Sequence, residues 1–388
     1  MWLSIIVYTT TALAYFALGM HAARREQRLL ATTGKHLPFY SWEIIASVLL
    51  FATVAGLRYG TGYDHLMYLS QYNYLSEGHN IFRNFEPGFV WLMKILARNG
   101  VHYFFFFALC AALQMIMLLW GIRHNKRLMP WMGLLLMTNY YFLYFMNTIR
   151  EGIVASFLVA SVPALVNRKW IIPAILALIF GTLHKSAYFL FPLTALLCVV
   201  RWKELSRRWH LAIFLMMVII GAIPWWQVWV MKAFRMIAPT VGYGYYVKSI
   251  NEFIATGGHW PHIGPNSLAG LLIKLILIWT YPLLRAHYKD DRYLPYFFLL
   301  FFVGACSHNL LVNTDHYILR LLDSFLLCTL PLTAYLLSYQ WQTRRRWALT
   351  GMLALCCSYI YIEVFKSTFY PTKMNLPVIY HFFLNPNL

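Results

Sequence analysis

The polar stretch from Arg58 to Tyr68 carries side chains that suit a sugar ligand. It contains Tyr59, Asp64 and Tyr68, with glycines at positions 60 and 62. Glycine permits a tight turn as the chain leaves an apolar segment, and residues four apart share a helix face. Aromatic rings interspersed with polar groups match the apolar face and polar edges of a sugar ring. The alternative interpretation is an interfacial belt of tyrosines.

Two charged pairs, Arg150-Glu151 and His184-Lys185, are separated by two apolar segments of similar length with a turn at 167–169. Two segments of similar length bring both pairs to the same depth in a membrane. The sequence therefore predicts a cluster of cations with a carboxylate. Ionisable groups near the hydrocarbon normally face a cavity or a partner, so this cluster is a candidate site. In the alternative interpretation, Arg150 and Lys185 reach the interface or pair with Glu151.

A third group, Asp315, His316, Arg320 and Asp323, opens a late apolar segment. The spacings of four and three residues from His316 through Arg320 to Asp323 place these side chains on one helix face. The group is predicted to belong to the same site. An ion pair between Arg320 and Asp323 that fastens helices is the alternative.

Two outer segments accompany these groups. Glu86, Pro87 and Gly88 precede 89–98, which is apolar but too short to span and is predicted to form an interfacial or re-entrant helix. The aromatic-rich segment 231–266 is predicted to form either a lid over a cavity or an amphipathic interfacial helix.

The composition indicates the elements that position these residues. The chain has 388 residues, of which 60% are hydrophobic and 12% charged, against roughly 25% charged in soluble domains. A soluble fold is excluded, and we predict a single polytopic all-α membrane domain over 1–388. About twelve spans (eleven to thirteen) are expected, near 2–20, 40–56, 101–122, 129–147, 152–167, 170–183, 186–200, 209–230, 267–285, 294–312, 317–338 and 347–365.

The distribution of lysine and arginine predicts the orientation. Of the 32 basic residues, 19 fall in alternate short connections, which are therefore cytoplasmic. Both termini and the long loops 57–100 and 231–266 then face outside. The net charge of +19 would suggest nucleic acid for a soluble domain, but these charges lie between apolar segments, so no nucleic-acid partner is predicted.

Several kinds of chemistry lack support in the sequence. The six cysteines fall within or at the ends of apolar segments, which argues against a disulfide framework or a zinc site. The chain has no phosphate-binding glycine-rich loop, no nucleophile elbow, and no Asp-x-Asp in an outer loop. We therefore predict no ATP hydrolysis, no cofactor and no metal-dependent transfer.

Four motifs together resemble the EpsG-type branch of the Wzy polysaccharide polymerases. They are Arg58-Tyr59-Gly60-Thr61-Gly62-Tyr63-Asp64-x-x-x-Tyr68, Glu86-Pro87-Gly88-Phe89, Asn147-x-x-Arg150-Glu151, and Leu183-His184-Lys185-Ser186-Ala187. The resemblance implies a membrane glycosyltransferase of the GT-C-like kind in the bacterial inner membrane. It also implies transfer of the growing glycan from undecaprenyl pyrophosphate to the non-reducing end of an incoming lipid-linked unit at the periplasmic face. A flippase and a chain-length co-polymerase are the partners implied.

The resemblance assigns roles to the residues singled out above. Fixed cations at headgroup depth would hold the pyrophosphate, since arginine contacts phosphate oxygens bidentately. The candidates for this role are Arg58, Arg150, Lys185, Arg320 and His316. The base for the acceptor hydroxyl is Asp64 or His184, ahead of Glu86, and the sugar-binding candidates are Tyr59 and Tyr68.

Three other functions remain open at this point. An O-antigen ligase would use the same donor with another acceptor. A lipid-linked oligosaccharide flippase would also be basic and polytopic, but its charges should line a central path, whereas here they gather at one face. A membrane O-acyltransferase would not require so many outer cations.

Overall fold

The computed structural model describes residues 1–80, 85–139, 141–200, 204–240, 244–258, 264–314, 322–370 and 378–381. These residues form helices and turns, which confirms the all-α class for the described part of the chain. The helices are α1 Trp2–Thr33, α2 Trp42–Gly56, α3 His65–Ser76, α4 Pro87–Arg98, α5 Tyr103–Gly121, α6 Met129–Thr138, α7 Tyr141–Asn147, α8 Ile149–Val166, α9 Ile171–Leu183, α10 Ser186–Val199, α11 Arg207–Gly221, α12 Pro224–Ile237, α13 Val247–Ala255, α14 Pro265–His287, α15 Leu294–Leu311, α16 Thr329–Gln342 and α17 Arg346–Phe369. Short 3-10 turns occur at Lys126–Leu128, Gly244–Tyr246 and Ser324–Cys328.

Six described helices are long and apolar enough to cross a membrane, namely α1, α5, α8, α14, α15 and α17. The bent pair α11 and α12 raises this number to seven if the pair is one span. The apolar helices α2, α9 and α10 are shorter, with 15, 13 and 14 residues. The chain is therefore a multi-pass membrane protein, but the predicted twelve spans are not confirmed.

Two predicted spans are interrupted. Segment 209–230 is divided between α11 and α12, which meet at 83°. Pro224 begins α12, and the residue before it, Ile223, is extended, because proline disfavours helical geometry in its predecessor. Segment 129–147 is divided between α6 and α7, and α6 ends where Asn139 becomes extended.

Helix α1 continues to Thr33, beyond the predicted end of the first span at residue 20. The prediction placed the end where the apolar residues stop. Residues 20–33 contain neither proline nor glycine, so the helix extends into the polar part of the sequence.

The helices group into two compact units, residues 1–199 with 330–388, and residues 200–329. The single-domain organisation inferred from the sequence stays a prediction. In the first unit α8 is the central helix, since 83% of its residues are buried. Phe157 on α8 packs against Phe180 of α9 and Phe191 of α10, with ring centroids 4.8 and 5.8 Å away. This packing places the start of α8 beside the loop between α9 and α10.

The second unit is held by aromatic contacts between α11, α14 and α15. Tyr281 stacks on Phe298 with 3.6 Å between ring centroids, and His210 lies 5.0 Å from Phe298. Within the predicted lid segment 231–266, the described residues belong mainly to α12 and α13, which share a small apolar core around Phe234 and Ile250.

Candidate functional site

Arg150, in the first turn of α8, is the centre of the candidate site. Its guanidinium donates to the carboxylate of Glu86, and its Nε donates to the Tyr68 hydroxyl at 3.3 Å. The Arg150 and Glu86 side chains are 19% and 15% exposed, so a ligand can reach the pair. The structure thus joins Arg150 to Glu86 and leaves Glu151, considered as a partner from sequence, buried near the Tyr144 hydroxyl at 3.4 Å.

Glycine at position 88 brings Glu86 to this site. A Cβ on Gly88 would overlap the side chain of Thr182 and lie 2.9 Å from its carbonyl oxygen. Only a residue without a side chain lets the start of α4 approach the end of α9 this closely. The approach places Glu86 Oε1 3.3 Å from the backbone N–H of Lys185, which donates to it. The Glu-Pro-Gly motif is therefore docked onto the His-Lys-Ser motif.

An aromatic wall supports the guanidinium of Arg150. Its central carbon lies 4.6 Å from the ring centroid of Phe85, 5.5 Å from Phe89 and 6.0 Å from Tyr68. A cation over an aromatic face is attracted by the ring quadrupole. Phe85 and the packing role of Tyr68 were not found from the sequence, although aromatic residues four apart, as Phe85 and Phe89 are, are a signal for such a wall.

The glycine-rich loop 58–64 is docked onto the segment that precedes Arg150. Gly62 has φ +94°, and a Cβ there would lie 3.0 Å from the carbonyl oxygen of Met146. The backbone N–H of Asp64 donates to Oδ1 of Asn147 at 3.0 Å. A side chain at position 62 would be strained and would separate the two segments.

Arg58 lies in the interior and does not face the cluster. It is 1% exposed, and its guanidinium donates to the carbonyl oxygens of Ala55, Thr61 and Met146. Burial lowers the pKa of Arg58 to about 10. Its donors hold the backbone of the glycine-rich loop and the segment before Arg150, and the contact of Arg58 with pyrophosphate stays a prediction.

Lys185 and His184 lie between α9 and α10. The pKa of Lys185 lies below its usual value. Burial is the main cause, the carboxylate of Glu86 partly offsets it, and the positive charge of Arg150 lowers the pKa further. The Lys185 ammonium is thus electrostatically coupled to the pair. His184 Nδ1 is 2.7 Å from the Ser186 hydroxyl, a contact that orients the ring. The predicted proximity of Arg150 to the His184-Lys185 pair is therefore seen in the structure.

The remaining predicted residues differ in their exposure. Asp64 is half-buried, and its carboxylate makes no hydrogen bond or ion pair with the part of the chain that the structure describes. Tyr59 is half-buried, and its ring lies 6.1 Å from that of His65. Tyr68 is 2% exposed. Its ring is enclosed and its hydroxyl accepts from Arg150, and the sugar contact of Tyr68 stays a prediction.

Of the group Asp315, His316, Arg320 and Asp323, the structure describes Asp323. Asp315, His316 and Arg320 lie in 315–321, outside the described residues. Asp323 pairs with His308, whose Nδ1 is 2.7 Å from the carboxylate. His308 was not predicted from the sequence as a partner of Asp323, although a histidine near the end of an apolar helix is a signal for an ion pair.

The described part of the site offers donors for an anion. Arg150, the Lys185 ammonium and the Lys185 backbone N–H surround one carboxylate. Within the residues described, no three His, Cys, Asp or Glu side chains come together as a metal site requires.

The motifs that form the site lie inside one family match. A model of the EpsG family matches residues 42–377, which is most of the chain. The chain belongs to the EpsG family. EpsG is a family of Wzy-like polysaccharide polymerases, and the membership confirms the resemblance carried by the four motifs. Comparison with curated proteins and with solved structures finds no match.

Proposed function

We propose that this EpsG-family protein polymerises lipid-linked oligosaccharide units at the outer face of the bacterial inner membrane. The observation that carries the proposal is the partly exposed group of Arg150, Lys185 and Glu86 at the start of the spanning helix α8. Fixed cations at the end of a span match a pyrophosphate group at the depth of lipid headgroups.

The proposed reaction moves the growing glycan from one lipid carrier to another. A hydroxyl oxygen at the non-reducing end of the incoming unit attacks the anomeric carbon of the growing chain. The bond from that carbon to the pyrophosphate oxygen breaks, and undecaprenyl pyrophosphate leaves with the electron pair. The acceptor proton passes to a base. Fixed cations stabilise the departing charge electrostatically, so the transfer is proposed to need neither a metal nor another cofactor.

Asp64 and His184 are the preferred candidates for the base that takes the acceptor proton. Asp64 carries a half-buried carboxylate without a hydrogen-bond partner among the described residues, and His184 is oriented by Ser186. Histidine exchanges a proton near neutral pH, whereas a carboxylate acts as a base when its environment suits the task. Glu86 ranks after them because Arg150 already holds its carboxylate.

The other parts of the proposal follow from the sequence. Both termini are proposed to be periplasmic because basic residues concentrate in the alternate connections. A GT-C-like arrangement of spans, a flippase that supplies the units and a co-polymerase that sets chain length are expected with this function. Arg320 and His316 are proposed to bind pyrophosphate, and Tyr59 to contact a sugar.

A gel of surface polysaccharide from a host that lacks this gene tests the function. The expected pattern is single repeat units without a ladder, with the ladder restored by a wild-type copy. Loss of the single units as well would contradict the proposal and indicate a flippase, a ligase or an earlier step.

A further inference from the structure

The carboxylate of Glu86 occupies the place where an anionic ligand of Arg150 would bind. One carboxylate oxygen accepts from the Arg150 guanidinium, and the other accepts from the backbone N–H of Lys185 at 3.3 Å. A guanidinium and a backbone N–H are donors that proteins use for phosphate oxygens. An internal carboxylate therefore fills a set of donors suited to an oxyanion.

These donors stay in place without Glu86. Tyr68 accepts from Arg150 Nε at 3.3 Å, and the rings of Phe85 and Phe89 lie against the guanidinium. The Lys185 N–H is held by the short connection between α9 and α10. Neither support depends on the carboxylate, so the donor set is preorganised for a replacement anion.

Electrostatics favours such a replacement. The charges of Arg150 and Lys185 oppose each other, and the charge of Glu86 offsets this opposition. Removal of the carboxylate alone leaves two like charges close together in a partly exposed site, which is unfavourable. An anion bound in the same position restores the offset.

Glu86 is also placed so that it can leave. It precedes α4 in extended conformation, and its side chain does not cap that helix. The carboxylate is partly exposed. Pro87 has no N–H, and the N–H groups of Gly88 and Phe89 in the first turn of α4 have no acceptor one turn earlier in that helix. A displaced carboxylate therefore stays beside the favourable positive end of a helix.

We propose that the pyrophosphate of a lipid carrier binds by replacing the carboxylate of Glu86 on Arg150 and on the Lys185 N–H. This inference rests on the proposed function, which supplies the pyrophosphate. Glu86 thus acts as an internal competitor whose single negative charge offsets part of the charge of the two cations until the donor arrives.

Binding of geranylgeranyl pyrophosphate to the purified full-length protein in nanodiscs tests the replacement. Wild type is compared with Glu86→Gln, which keeps the shape and removes the charge, and with Glu77→Gln as the control. Glu77 is an exposed carboxylate after α3, outside the site. We expect Glu86→Gln to bind about tenfold more tightly, which corresponds to about 1.4 kcal/mol, and Glu77→Gln to bind like wild type.

Equal or weaker binding by Glu86→Gln would overturn the replacement while leaving the polymerase proposal intact. Absence of binding by every protein would overturn both. Inorganic pyrophosphate is the second probe, and equal affinity for it would overturn the assignment to a lipid. If Glu86→Gln does not fold, Glu86→Asp shortens the carboxylate and is expected to bind more tightly than wild type, whereas unchanged binding would overturn the replacement.

Discussion

Arg150 and Glu86 form an ion pair across 64 positions of the chain. The pair joins the first turn of α8 to the residue that precedes α4, and Lys185 adds a backbone N–H to the same carboxylate. Three of the four EpsG-family motifs therefore meet at one point. The fourth, the glycine-rich loop, reaches Arg150 through Tyr68.

Replacement of Arg150 by lysine should lower polymerisation about 100-fold, the cost of removing one fixed donor to a developing charge. Lysine keeps the positive charge but loses the planar fork that contacts Glu86 and Tyr68 together. The measurement is the ladder intensity at equal membrane levels of protein. A ladder of wild-type intensity from Arg150→Lys would show that charge alone is sufficient.

The substitution Gly88→Ala should abolish the ladder. The added Cβ overlaps the Thr182 side chain, so α4 must move away from α9, and Glu86 moves with it. The matched control is Gly351→Ala, because a Cβ at Gly351 meets nothing within 4 Å. Both variants are compared by ladder intensity and membrane level. A normal ladder from Gly88→Ala would contradict the role given to this close approach.

The sequence predicted the cluster of Arg150 with His184-Lys185 because two apolar legs of equal length bring their ends to one depth. It could not predict that Glu86 joins them, since that contact depends on how closely α4 approaches Thr182. The burial of Arg58 could not be predicted for a related reason. A charge near the end of an apolar segment looks accessible until the loop folds over it, and carbonyl oxygens that bind it are not visible in a sequence.

The number of membrane spans is also difficult to predict from the sequence. The break at Pro224 has a local signal, yet composition alone joins α11 and α12 into one segment. The 83° bend comes from backbone geometry at Ile223 and Pro224, which a count of apolar residues does not register.

Stability should fall as pH drops below 6.5, partly because of His65. Burial, followed by the charge of Arg58, lowers the pKa of His65 from 6.5 to about 2. Between these values the unfolded chain binds a proton that the folded chain does not, so the free energy of unfolding decreases by up to about 1.4 kcal/mol per pH unit as pH falls. The measurement is the apparent unfolding temperature between pH 7 and pH 5.

His65→Asn isolates this contribution. Asparagine offers an acceptor for the Gly60 N–H, which donates to His65 Nδ1 at 3.2 Å, but does not titrate. We expect a weaker pH dependence than in wild type, and no such change in the control His79→Asn, which removes an exposed histidine. Equal slopes in all three proteins would contradict the buried neutral state of His65.

The segment 378–381 should stabilise the glycine-rich loop. Tyr380 donates its hydroxyl to the carbonyl oxygen of Val54 at 2.5 Å, and Ile379 accepts from the Thr61 hydroxyl at 3.1 Å. Tyr380→Phe removes one part-buried hydrogen bond, worth about 1 kcal/mol, and should lower the apparent unfolding temperature by about 2 °C. The exposed Tyr40→Phe is the control. An equal change in both variants would contradict a specific anchoring role.

The most direct test of the central claim uses purified protein and undecaprenyl-pyrophosphate-linked repeat units in liposomes. We predict that the wild type converts single units into a ladder and releases undecaprenyl pyrophosphate, whereas Arg150→Gln, at the same amount of folded protein, leaves the single units unchanged. A wild-type protein that releases no undecaprenyl pyrophosphate, or an Arg150→Gln variant that builds the same ladder, would contradict the account.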